Sequence, residues 1–142
     1  AKPALVCFDP GPERERVAGI LEENGYTVVI PNSARDALDR LRLTQYQLVA
    51  LHETYDGHIR EKHPVLTLLQ HMEMPTRRRI LVILFGAELK TFDKMSAFAL
   101  SVNVVVNLSD QPIYDKIIQR SISEYDRFYK VYFDVMREMG KV

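Results

Sequence analysis

Five short segments of this chain are apolar almost from end to end: Ala4-Leu5-Val6-Cys7-Phe8, Thr27-Val28-Val29-Ile30, Leu48-Val49-Ala50-Leu51, residues 80–85, and Val104-Val105-Val106. A strand with one face in water alternates apolar and polar residues, whereas unbroken apolar runs mark strands covered on both faces. The stretches between them carry the helical period. Pro12 opens one in which Val17, Ile20 and Leu21 recur, with Glu13 and Glu15 suited to the positive end of a helix dipole and Gly25 as a left-handed stop. Ser33 caps a second with Ala34, Ala37, Leu38 and Leu41, and Asp36 stands in the capping-box position. Pro64 opens a third with Val65, Leu68, Leu69 and Met72, and a fourth over about 89–100 would turn Phe92, Met95, Phe98 and Ala99 inward. Strands alternating with helices in this way predict a five-stranded parallel sheet with helices on both faces, a three-layer α/β/α architecture.

Composition bounds the function. The 142 residues suit one domain, and an apolar fraction of 46% supports a single sizeable core. Nineteen basic and nineteen acidic side chains cancel, so no general attraction to nucleic acid or to an anionic membrane is expected. The lone cysteine, Cys7, excludes an internal disulfide and a multi-cysteine zinc site, and its place within a strand marks it as an inert buried thiol. No apolar run approaches the ~18 residues of a membrane span, and Ala-Lys-Pro-Ala at the start lacks a signal-peptide core. The expectation is a cytoplasmic domain.

The text Leu21-Glu22-Glu23-Asn24-Gly25-Tyr26-Thr27-Val28-Val29, followed by Ala34-Arg35-Asp36-Ala37-Leu38, resembles the receiver (CheY-like) domains of bacterial response regulators. So does Phe98-Ala99-Leu100-Ser101-Val102-Asn103-Val104-Val105-Val106, and the likeness spans nearly all of residues 4–125. The resemblance implies a flavodoxin-like, doubly wound sheet of order 2-1-3-4-5 with its site at the carboxyl ends of the strands. Receiver chemistry is phosphoryl transfer to an aspartate. It needs a carboxylate nucleophile, further carboxylates for Mg²⁺, and a lysine and a hydroxyl to balance the phosphoryl charge. Carried over position by position, the motif departs from the family. Of the two acids after the first strand only Asp9 remains; the phosphoacceptor position falls on His52, the hydroxyl on Phe85 or Gly86, and the lysine on Asn107, with Leu108 in place of the following proline. A single aspartate beside an imidazole is a weak offer to Mg²⁺. Glu53 or Asp56 would become the acceptor only through a displaced register, and a one-residue slip turns Glu53 to the other face unless the strand has already ended.

Other clusters have plain readings. His52, His58, His63 and His71 fall within twenty residues of one another beside Glu53 and Asp56, which suits either a transition-metal site or a histidine-rich polar loop; the spacing matches no defined metal motif. Arg77-Arg78-Arg79 reads as a solvated approach to a very apolar strand, without the wider basic surface that nucleic acid requires. Neither a phosphate-cradling glycine motif nor a hydrolase signature is present, and no cofactor is called for.

The end of the chain is the anomaly. A helical pattern over 112–139 without Gly or Pro would run about 40 Å, longer than a small domain is wide. By family analogy the last helix ends near Tyr125, dividing the chain into a receiver-like domain over 1–125 and an extension over 126–142. Ile118, Ile122, Tyr125, Tyr129, Tyr132, Met136 and Met139 alternate at four and three, the a/d seam of a coiled coil, and Phe128, Val131 and Val135 widen it. A homodimer through this helix is the preferred reading; folding back over the domain, or packing on a neighbouring domain, are the alternatives. These observations together predict an atypical, non-phosphorylatable receiver-like module of a longer protein. It would act in bacterial two-component signalling by binding itself and other signalling proteins, without enzymatic activity of its own. Its rivals are a small-ligand or metal sensor built on the altered pocket, and a phosphoreceiver using Glu53 or Asp56.

Overall fold

The computed structural model describes residues 2–140. Residues 1, 141 and 142, which the two expected segments include, lie outside the described residues. Strands β1 (Lys2–Cys7), β2 (Tyr26–Val29), β3 (Leu48–His52), β4 (Leu81–Gly86) and β5 (Val104–Asn107) form one parallel sheet of order β2-β1-β3-β4-β5. The helices are α1 (Pro12–Glu23), α2 (Ala34–Leu43), α3 (Pro64–His71), α4 (Met74–Arg77), α5 (Lys94–Leu100) and α6 (Tyr114–Glu138).

The period-two geometry of each strand divides its apolar run between two cores. Leu5, Cys7, Val49, Leu51, Val82, Leu84 and Val105 face α2, α3 and α5. Ala4, Val6, Phe8, Leu48, Ala50, Ile83, Phe85 and Val106 face α1 and α6. The unbroken runs are therefore the direct consequence of burial on both sides. Burial also holds the Cys7 thiol far above its usual range. At the start of α2 the Ser33 cap forms, its hydroxyl accepting from the Asp36 amide at 3.1 Å, but the Asp36 carboxylate reaches back to Asn32 N–H at 2.8 Å, one residue before the N-cap amide that a capping box would use.

Three local expectations are corrected. The helix expected over 89–100 starts only at Lys94, because Asp93 caps it by accepting from Met95 and Ser96 amides while Phe92 adopts a left-handed φ of 65°. That start turns Ala97 inward and leaves Met95, Phe98 and Ala99 exposed. The last helix starts at Tyr114 rather than 112; residues 108–113 form a 3-10 turn capped by the Asn107 side chain, and Pro112 has no N–H to give.

Within the basic trio, expected as a solvated approach, Arg79 is exposed but Arg77 is not solvated. Arg77 is buried, donating to Ile80 O at 2.8 Å, Ser101 O at 3.0 Å and Asn103 Oδ1 at 3.0 Å. Desolvation lowers its pKa. Arg78 lies 5.1 Å over the Tyr132 ring and Arg79 4.8 Å over Phe133, so the trio joins the entry of β4 to α6.

Candidate functional site

Parallel pairing sets His52 beside Phe85 and Gly86 beside Asn107 at the carboxyl edge, with Asp9 just past the end of β1. The sequence-selected residues thus share one edge of the sheet, but each is engaged by its neighbours. Phe85 is fully buried, with its ring edge-on to Phe8 at 5.1 Å and Tyr114 at 5.1 Å. The His52 ring meets Phe8 at 5.4 Å; its Nδ1 accepts from the Thr54 amide at 3.1 Å, which leaves Nε2 protonated and 3.8 Å from Glu13 Oε1. Tyr114 donates its phenol to the other oxygen of Glu13 at 2.8 Å, and burial together with that carboxylate raises its pKa. Glu13 belongs to the cleft although its sequence position signals only a helix N-terminus. Its role becomes visible once α1 is packed beside α6.

Strand β3 has ended by Glu53, which resolves the register question. The Glu53 amide still donates to Phe85 O at 2.9 Å, but its side chain turns over Gly86 and accepts from the Ala87 amide at 2.8 Å, with Arg60 at 3.3 Å on its other oxygen. A Cβ at position 86 would sit 2.6 Å from that carboxylate, so only glycine allows the approach. Asp56, at a left-handed φ of 58°, donates its amide to Asp9 Oδ1 at 2.9 Å and accepts from the Ala34 amide at 2.8 Å. The Asn107 amide nitrogen donates to Leu89 O at 2.6 Å and Ala87 O at 3.3 Å, while its oxygen accepts from the Ser109 amide and hydroxyl.

A receiver's Mg²⁺ requires about six oxygen donors in near-octahedral array. Here Asp9, Glu53 and Asp56 each accept a backbone N–H elsewhere, and among the described residues no three His, Cys, Asp or Glu side chains converge for a metal. The residues present do not fit that ion. Of the histidines, His58 and His63 meet with ring centroids 5.4 Å apart, while His52 and His71 are engaged elsewhere. His63 is buried, stacked on Tyr55 at 6.1 Å, and caps α3 by accepting from the Val65 amide at 3.2 Å; burial, then the neighbouring His58, lower its pKa to about 4. His71 lies on α3 against its own Thr67 carbonyl at 2.9 Å.

On α6 the expected seam divides. Ile118 and Ile122 belong to the core and are removed from any association surface. Tyr125 donates to Arg78 O at 2.5 Å, and its phenol pKa is raised by burial; Tyr129, Tyr132 and Met136 are half-buried, and Met139 is exposed. The widening side chains are open, Phe128 at 63%, Val131 at 60% and Val135 at 46%. Together with Leu81 and Val104 at the amino edge of the sheet they line an open recess of about 930 Å³.

The comparisons with known proteins agree on architecture. No protein-family model and no curated protein matches the chain. Among solved structures, NtrX from Brucella abortus in complex with ADP is similar at 20% identity and a TM-score of 0.68 over 99% of this chain, which spans only 30% of NtrX. The receiver domain of the Francisella response regulator 1452 is similar at 17% identity and a TM-score of 0.66, over 90% of this chain and 99% of that one. A chain carrying the trimeric coiled-coil residues 181–211 of yeast Spc42 in a fusion is similar at 18% identity and a TM-score of 0.67, over 99% of this chain and 84% of that one. The class is thus a doubly wound, flavodoxin-like α/β/α domain. Within it, the fold is that of the CheY-like receivers, here with a last helix that outruns the sheet. No helix among the described residues is long and apolar enough to cross a membrane.

Proposed function

We propose that this chain is a receiver-fold interaction module of a signalling protein, which communicates through contact rather than by accepting a phosphoryl group, and that it dimerises through residues 126–138 of α6. The observation carrying the reading is the apolar stripe of α6, which continues past the sheet: it is core as far as Ile122, then presents Phe128, Val131 and Val135 to solvent. Covering one large apolar side chain is worth about 1.5–3 kcal/mol, so three in a row favour a partner strongly. The cleft supports the same reading. Its carboxylates already hold backbone N–H groups, and position 107 offers an amide where a phosphoreceiver offers a cation. The similarity over 99% of this chain to a coiled-coil fusion is consistent with a helix of this length acting in association.

A second reading keeps phosphorylation with Glu53 as acceptor, favoured by the fact that its carboxylate has left the strand and lies over Gly86 in the cleft. Size-exclusion chromatography with light scattering tests the dimer. The full chain is expected to elute as a dimer, while a chain ended after Tyr125 and the full-length variant Phe128→Glu elute as monomers. A monomeric full chain at about 100 μM, far above a typical Kd for a specific pair, would overturn the reading.

A further inference from the structure

Resting on that dimer, we infer that the two copies are seated antiparallel, each laying the last three turns of α6 into the recess between α6 and the amino edge of β4 and β5 in the other. Charge distribution around α6 carries this. At 100° per residue, Arg127, Val131, Asp134 and Glu138 share one flank of the exposed stripe, and Tyr129, Phe133 and Met136 share the other. The second flank is uncharged: Phe133 lies under Arg79, while Tyr129 and Met136 line the recess. Of the first flank, Arg127 and Val131 line the recess, and along the sequence its base stands near the start and its acids, Asp134 and Glu138, near the end.

An antiparallel pair brings like flank to like flank. Crossing between Val131 and Tyr132, it sets Phe128 against Val135 of the second copy and places Arg127 between the second copy's Asp134 and Glu138, twice by symmetry. Among the described residues neither Arg127 nor Glu138 has an ion-pair partner, whereas Asp134 already pairs with Lys130 at 3.6 Å and with Arg137. The arriving carboxyl end of the second helix, the negative end of its dipole, would meet Lys94, which lines the same recess as Glu124. A parallel pair brings opposite flanks together, leaving Arg127, Asp134 and Glu138 against aromatic rings. The recess also has the right form: a helix seated there touches α6 on one side and Leu81 and Val104 on the other, which a bare two-helix seam would leave open.

Disulfide trapping in the full chain tests the arrangement, since Cys7 is buried and takes no part. Phe128→Cys and Val135→Cys are prepared separately, oxidised alone and mixed, alongside light scattering of each. A mixed disulfide between the two variants, with little self-linkage of either, is expected. Self-linked Phe128→Cys in a dimeric sample overturns the antiparallel seating and leaves the dimer standing. A dimer without any disulfide overturns the recess as the interface. A sample monomeric throughout overturns the dimer as well. As a second readout, Arg127→Glu should weaken dimerisation by about tenfold, and adding Glu138→Arg in the same chain should restore most of it. Failure of that rescue in a folded dimer also counts against the antiparallel seating.

Discussion

At Gly86 the lack of a side chain and the bend of Glu53 are a single feature: the carboxylate reaches the Ala87 amide only because nothing stands on the glycine. Gly86→Ala should therefore lose that charge-assisted bond, at about 1–2 kcal/mol in urea unfolding. In the Glu53→Ala background the same change should cost almost nothing, and this non-additivity is the signature to look for. His63 makes a second prediction. The folded chain holds its imidazole neutral down to about pH 4, whereas an unfolded chain protonates it near 6.5. Between those values the unfolded state binds the extra proton, so stability falls as pH drops through that window. Tyr55 and His58 pack against the ring, with Asp56 and His52 as the nearby titratable groups, and His63→Asn keeps a capping oxygen while removing the titration. Its urea midpoint should vary less between pH 7 and 4.5 than that of the parent chain; equal slopes would contradict the assignment. None of this was legible in the sequence, where four histidines in one window read equally well as metal ligands or as a polar loop. Which of them is buried depends on how residues 53–63 fold over Tyr55.

Elements were more legible than the contacts between them. Unbroken apolar runs announced a doubly covered sheet, and Ser33 with Asp36 announced α2, because both signals are local and the structure uses them locally. The start of α5 is less legible, because Asp93 accepts from the Met95 and Ser96 amides and so begins the helix five residues later than its apolar pattern does. The burial of Arg77 is not legible for another reason: a charged side chain is buried only where its acceptors are assembled by distant parts of the chain. For Arg77 these are the carbonyls of Ile80 and Ser101 and the side chain of Asn103. Replacing Arg77 with Met should unpair them at a cost of about 2–4 kcal/mol in chemical denaturation, and Arg77→Lys, lacking the fork, should recover little of it. A loss below about 0.5 kcal/mol would mean the network contributes nothing.

For the whole molecule, the order of the strands brought the sequence-selected residues to one edge, so their proximity was legible from topology and the resemblance alone. Their engagement was not, because hydrogen bonds such as Asp56 to Asp9 and Tyr114 to Glu13 link residues far apart in the chain and depend on side-chain direction. The seam of α6 was legible as a stripe, but the division between its core half and its open half depends on where the sheet stops. In the proposed function, a site whose polar groups are taken up by one another is joined to a helix that would carry the contact surface. Intact-mass measurement after incubation with a small-molecule phosphodonor and Mg²⁺ tests the first half directly. The mass should remain that of the unmodified chain, whereas a gain of one phosphoryl group that survives His52→Ala and vanishes in Glu53→Gln would show that the cleft still performs receiver chemistry.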